Sequence, residues 1–166
     1  MTLWIRKAVL TTHVVSSVGW LGAVAAMFIL AISTLGADNA ELARAVYLVG
    51  DRMGWFVLVP LAFVSLVTGL IVSFTSRWGL LRHYWVLIKL GITVVATVIL
   101  LVYTKTLAAL ARTAAEPHLS TVDSMFGGML SVALHAGAAL GILLVATILS
   151  IYKPRGTTRF GGRLIR

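Results

Sequence analysis

Four long apolar runs dominate the chain, at residues 8–35, 53–74, 83–110 and 125–152, and polar and charged residues collect in the short stretches between them. Each run exceeds the roughly 20 residues that a helix needs to cross a bilayer core. The pattern predicts an all-α protein: a polytopic, four-transmembrane-helix antiparallel bundle over residues 1–153, followed by a basic tail at 154–166. Connections this short make sequential helices antiparallel neighbours. The first run has a basic start at Arg6 and Lys7 and a small-residue stretch at Gly22-Ala23-Val24-Ala25-Ala26, the features of a signal peptide. Its apolar stretch is too long for a signal sequence and continues past that point, so it is read as a helix of the mature chain.

The breakers refine this outline. Asp38 and Asn39 can cap a short helix through Val49, with Glu41 and Arg44 near its start. That helix either lies on the outer surface or prolongs the second span. Pro60 falls inside the second run, where it removes a backbone donor and should kink the helix. The loop at 113–124, with Pro117 and His118, reads as an outer connection. The tail from Pro154, rich in Gly and Arg, reads as a flexible strip attracted to anionic lipid. Small residues at Gly19, Gly22, Ala23 and Ala26, and the pair Gly137 and Gly141, would let helix backbones approach closely in lipid.

Composition agrees with the pattern. Hydrophobic residues make up 60% of the 166 and charged residues 11%, with a mean hydropathy of +1.00, more apolar surface than a soluble domain of this size carries. The absence of cysteine excludes disulfides, thiolate metal sites and thiol catalysis. A net charge of +9 could suggest nucleic acid, but the basic residues cluster at run ends and in the tail, which points to the lipid bilayer as partner. Arg6, Lys7, Arg77, Arg82, Lys153, Arg155, Arg159, Arg163 and Arg166 fall on one side. Arg44, Arg52, Lys105 and Arg112 fall on the other, with all five acids: Asp38, Glu41, Asp51, Glu116 and Asp123. The positive-inside bias then puts both termini in the cytoplasm, for a multi-pass protein of the cell's inner (plasma) membrane.

Against this background a few polar side chains inside the runs stand out. His13 lies six residues beyond Lys7, about 9 Å inward, and Lys89 seven residues beyond Arg82, about 10 Å from the same face, so the two can share a level. A lysine at such depth costs about 3 kcal/mol unless it snorkels or finds a partner. Both readings stand for Lys89, and His13 could equally satisfy itself on a backbone carbonyl or Ser17. Ser17 and Trp20 follow His13 at i+4 and i+7, and Thr93 and Thr97 extend the Lys89 face. His135 is eighteen residues from Lys153, about 27 Å away, in the opposite half of the bundle. It is poorly placed to share an iron with His13. Met27, Met53, Met125 and Met129 also fall in that half, and thioethers with imidazole suit Cu(I). Such methionines also fill irregular cores. No paired carboxylates lie within the runs, which argues against a carboxylate proton relay of the pump type, and with no Ser/His/Asp set, phosphate loop or dinucleotide fingerprint hydrolytic catalysis is not supported.

The stretches Thr12-His13-Val14-Val15-Ser16-Ser17-Val18-Gly19-Trp20-Leu21-Gly22 and Trp78-Gly79 through Lys89 carry a resemblance over nearly the whole chain. In them the chain resembles an uncharacterised (DUF) family of small bacterial four-helix integral membrane proteins. More distantly it is similar to the membrane protoporphyrinogen oxidase family of the oxygen-independent type, in which a histidine and a lysine at these places are associated with haem or porphyrin. It is also similar to the copper-resistance D family of copper transport proteins. The first of these distant likenesses implies a b-type haem or porphyrin site, with His13 as iron ligand and Lys89 as propionate partner, second ligand or proton donor. Trp20 would pack on the macrocycle, Ser17 and His135 would be further cofactor-binding candidates, and a haem-dependent oxidoreductase activity with a membrane redox partner becomes conceivable. The second implies copper handled by Met53, Met125, Met129 and His135. A third expectation is an accessory or structural subunit whose small-residue faces bind partner helices or a second copy of the chain.

Overall fold

The computed structural model describes residues 2–35, 39–75, 83–116 and 122–154, with side chains throughout except at 122–124. Among these residues the chain is all-helical. Helix α1 covers Leu3–Thr34, α2 Ala40–Met53, α3 Val59–Thr75, α4 Tyr84–Ala115 and α5 Val122–Tyr152. A π-helical turn, Gly54–Leu58, joins α2 to α3, so the second span runs unbroken from Ala40 to Thr75. Four helices are thus long and apolar enough to cross a membrane.

Local chemistry explains the boundaries. α1 starts at Leu3, ahead of the expected residue 8, and takes Arg6 and Lys7 into its first turns. Asn39 caps α2 by accepting from the Leu42 amide at 3.1 Å. Of the two placements open for this helix, the structure has it prolonging the second span. Pro60 cannot donate to residue 56 and its ring crowds that carbonyl. The chain meets this one turn upstream, where the Val59 amide reaches back five residues to the Gly54 carbonyl and widens the helix into the π turn. α5 stops at Tyr152, where Lys153 takes a φ of +43° ahead of Pro154. Trp78 to Arg82, the cap at Asp38, the loop with Pro117 and His118 and the tail from Arg155 lie outside the described residues.

α1 packs on α3 and α5, and α4 packs on α2, α3 and α5, so α1 and α4 face each other across the bundle diagonal. Three levels follow along the axis. One holds His13, Ser17, Ser65, Thr68 and Lys89, joined by polar contacts. The middle one is an apolar cluster of Trp20, Val24, Leu58, Ala62, Ala96 and Leu143. The third is the largest and gathers Met27, Ala31, Val46, Tyr47, Leu107, Met125, Met129 and their neighbours. The small residues act unequally: Gly137 receives the Phe28 ring of α1 and Gly19 the side chain of Leu61, whereas Gly22 and Gly141 face open space. The exterior is lined by exposed Val14, Val18, Phe56, Phe63, Val95, Val98, Val102, Leu134 and Ile151. An apolar belt of this extent suits hydrocarbon and would be an aggregation surface in water.

Candidate functional site: a histidine–lysine pair across the bundle

His13 projects from α1 toward α3, into a notch left by Gly69. A Cβ at position 69 would lie 2.9 Å from His13 Cε1. That close approach fixes the ring. Nδ1 is 3.0 Å from the Ser65 carbonyl oxygen and 3.2 Å from Thr68 Oγ1. A carbonyl only accepts, so Nδ1 carries the proton and donates. Thr68 Oγ1 gives its own hydrogen to the Val64 carbonyl, which leaves its lone pair for the imidazole. Nε2 is therefore the unprotonated atom of the neutral ring.

That atom faces Lys89. The amine crosses the diagonal from α4 and places Nζ 3.4 Å from His13 Nε2, donating to the imidazole lone pair. Both side chains are half-buried. Among the described residues, the carboxylates of Glu41, Asp51 and Glu116 are not partners of Lys89, so its charge has a neutral base beside it rather than a counter-anion. Such an arrangement can receive an anionic group at the amine and a metal or proton at Nε2.

The two residues singled out by depth thus meet. Ser17 joins them through α3, its hydroxyl 2.8 Å from Ser65 Oγ. Thr93 and Thr97 share the Lys89 helix face but give their hydroxyls to the carbonyls of Lys89 and Thr93, so they serve α4 itself. The groups that do orient the imidazole are the backbone carbonyl of Ser65 and the hydroxyl of Thr68 in α3, residues that sequence reasoning passed over. Their signal was the run Ser65-Leu66-Val67-Thr68-Gly69, two hydroxyls and a glycine on one helix face within an apolar span.

The remaining candidates lie elsewhere. Trp20 sits in the middle level, 3% exposed, and is not part of the His13–Lys89 layer. His135 stacks on Tyr103 with ring centroids 4.0 Å apart and gives Nδ1–H to the Ser131 carbonyl at 2.9 Å. Met27, Met53, Met125 and Met129 all enter the third level, and Met129 Sδ accepts from Thr34 Oγ1 at 3.1 Å. His135 lies six residues from Met129, about 9 Å along the axis, and its ring rests on Tyr103, which packs against that cluster. Among the described residues no three His, Asp or Glu side chains come together.

Four spanning helices with a half-buried polar pair between them define a multi-pass helical membrane protein. No protein-family model, curated protein or solved structure matches the chain.

Proposed function

We propose that this protein is an antiparallel four-helix bundle of the plasma (inner) membrane, with both termini cytoplasmic, that binds a b-type haem or a porphyrin at His13 and Lys89. The observation that carries this reading is the His13–Lys89 contact, in which an oriented imidazole offers its unprotonated nitrogen beside an amine that has no carboxylate partner among the described residues. The donor chemistry fits the group. A neutral imidazole is the usual proximal ligand of haem iron, and an ammonium in a low-dielectric layer is a partner for a propionate. When bound, haem would supply one-electron chemistry, which is where an oxidoreductase activity and a membrane redox partner would enter. The chain's own residues do the positioning. Ser65 and Thr68 hold Nδ1–H and so aim Nε2, Gly69 leaves room for the ring, and Lys89 must leave Nε2 for the nitrogen to become a ligand.

The test is the absorption spectrum of detergent-purified protein, oxidised and dithionite-reduced, before and after haem titration. A Soret band is expected, absent in His13→Ala and displaced in Gly69→Ala. Lys89→Met should weaken haem binding by about 10- to 100-fold, the worth of one hydrogen bond to a charged group. A protein that stays colourless after titration overturns the reading.

A copper-handling module is the second reading, favoured by the gathering of four thioethers in one level. It expects copper in the purified protein, lost when Met125 and Met129 are changed together. An accessory subunit, by contrast, would show neither chromophore nor metal and would retain a partner on purification.

A further inference from the structure

A cavity of about 250 Å³ lies near the middle of the spans, separate from the His13–Lys89 layer. Trp20 and Met27 of α1 form its back, and Ala96, Ile99 and Tyr103 of α4 face His135, Ala136 and Ala139 of α5 across its mouth. Ile99 is 48% exposed and His135 is exposed, so the opening lies between α4 and α5, on the side that meets hydrocarbon. Alanines at 136, 138 and 139 create the space.

The lining is apolar except at Trp20, Tyr103 and His135, and two of these keep one group with no hydrogen-bond partner among the described residues. Trp20 is 3% exposed and gives its indole N–H to no described residue. His135 commits Nδ1–H to the Ser131 carbonyl, so the neutral ring keeps an accepting Nε2. Tyr103 is already engaged with Ser131, at 3.1 Å between hydroxyls, and holds the His135 ring by a stack tilted only 17°. One donor and one acceptor therefore remain in a pocket walled by three aromatic rings.

Size narrows the ligand. An apolar cavity of about 150 Å³ accommodates benzene. The space here suits one substituted ring and is too small for a macrocycle of four pyrroles. The Trp20 indole N–H can donate and the His135 Nε2 can accept, so an occupant that carries a hydroxyl gains a partner at each. Aromatic walls favour a flat partner by offset stacking. We infer that this cavity is a binding site for the ring of a membrane-dissolved phenol or hydroquinone, entering sideways between α4 and α5. Its hydroxyl donates to His135 Nε2 and an oxygen accepts from Trp20.

The test uses the full chain in lipid nanodiscs, with radiolabelled 2-decylhydroquinone as probe and empty nanodiscs as the partition background. Saturable binding above background is expected. His135→Phe keeps a ring beside Tyr103 but removes the acceptor, and should weaken binding about tenfold. Ala139→Leu fills the cavity from α5 and should abolish binding. Ile99→Trp fills it from α4 at a lipid-facing position that tolerates bulk, so failure of one variant to fold leaves the other. His13→Ala and Lys89→Met should bind the probe as wild type does, which keeps this site independent of the haem reading. Binding no greater than in empty nanodiscs, binding unchanged by both cavity-filling variants, or equal binding of 1-decanol would each overturn the inference.

Discussion

The level around Met129 and the level around His13 are built on the same four spans, yet they are held by different means. At Met129 the helices meet through fully buried side chains. Met129 and Tyr47 are 2% exposed, and the Tyr47 hydroxyl donates to the Met125 carbonyl at 2.6 Å. Gly128 permits this, since a Cβ there would collide with that hydroxyl and lie 2.7 Å from a methyl of Leu110. At His13 the helices meet through hydrogen bonds between half-buried groups, and a glycine, Gly69, again makes the space. In hydrocarbon no hydrophobic drive favours helix association, so close packing and interhelical hydrogen bonds must supply it. The first level uses mostly packing and reads as the stabilising end. The second uses polar groups that are expensive at that depth, as a site would.

Three substitutions test this contrast, read as resistance to unfolding in SDS titrations followed by far-UV circular dichroism. The largest effect is expected from Met129→Ala, which empties a buried position and should cost about 2–5 kcal/mol. A loss below 1 kcal/mol would show that the methionine level is not the stabilising one. Lys89→Met should leave stability unchanged or raise it by up to about 3 kcal/mol, because it removes a half-buried cation with no carboxylate partner among the described residues. A clear loss would instead make the His13–Lys89 contact structural and remove the contrast. A modest loss is expected from Tyr47→Phe, about 1 kcal/mol for one interhelical hydrogen bond. No change there would mean that packing alone holds that level.

The spans were legible from the sequence because apolar length is a local property. The run 8–35 falls in α1 but for Leu35, its C-cap, and 125–152 sits within α5, where Met125–Tyr152 is itself one of the segments long and apolar enough to span. The meeting of His13 with Lys89 was also within reach, since charge anchors and helical rise give depth without knowledge of packing. The rest was not. Depth puts His13 and Lys89 on one level but says nothing about rotation, and only the bundle order sets them across the diagonal with Ser65 and Thr68 behind the ring. Thr93 and Thr97 give their hydroxyls to carbonyls of their own helix, and His135 stacks on Tyr103, contacts that depth alone does not predict.

By itself the sequence determined an all-helical chain with four helices able to cross a membrane, because burying backbone polar groups in lipid leaves a long apolar segment little choice but helix. The tertiary structure alone decided that Pro60 is absorbed by a π turn at Gly54–Leu58 and that His13 is aimed by a carbonyl of α3. It also decided that a cavity of about 250 Å³ opens beside Trp20 and His135. These depend on which faces meet and how closely, and apolar faces of nearly uniform composition do not encode that one helix at a time.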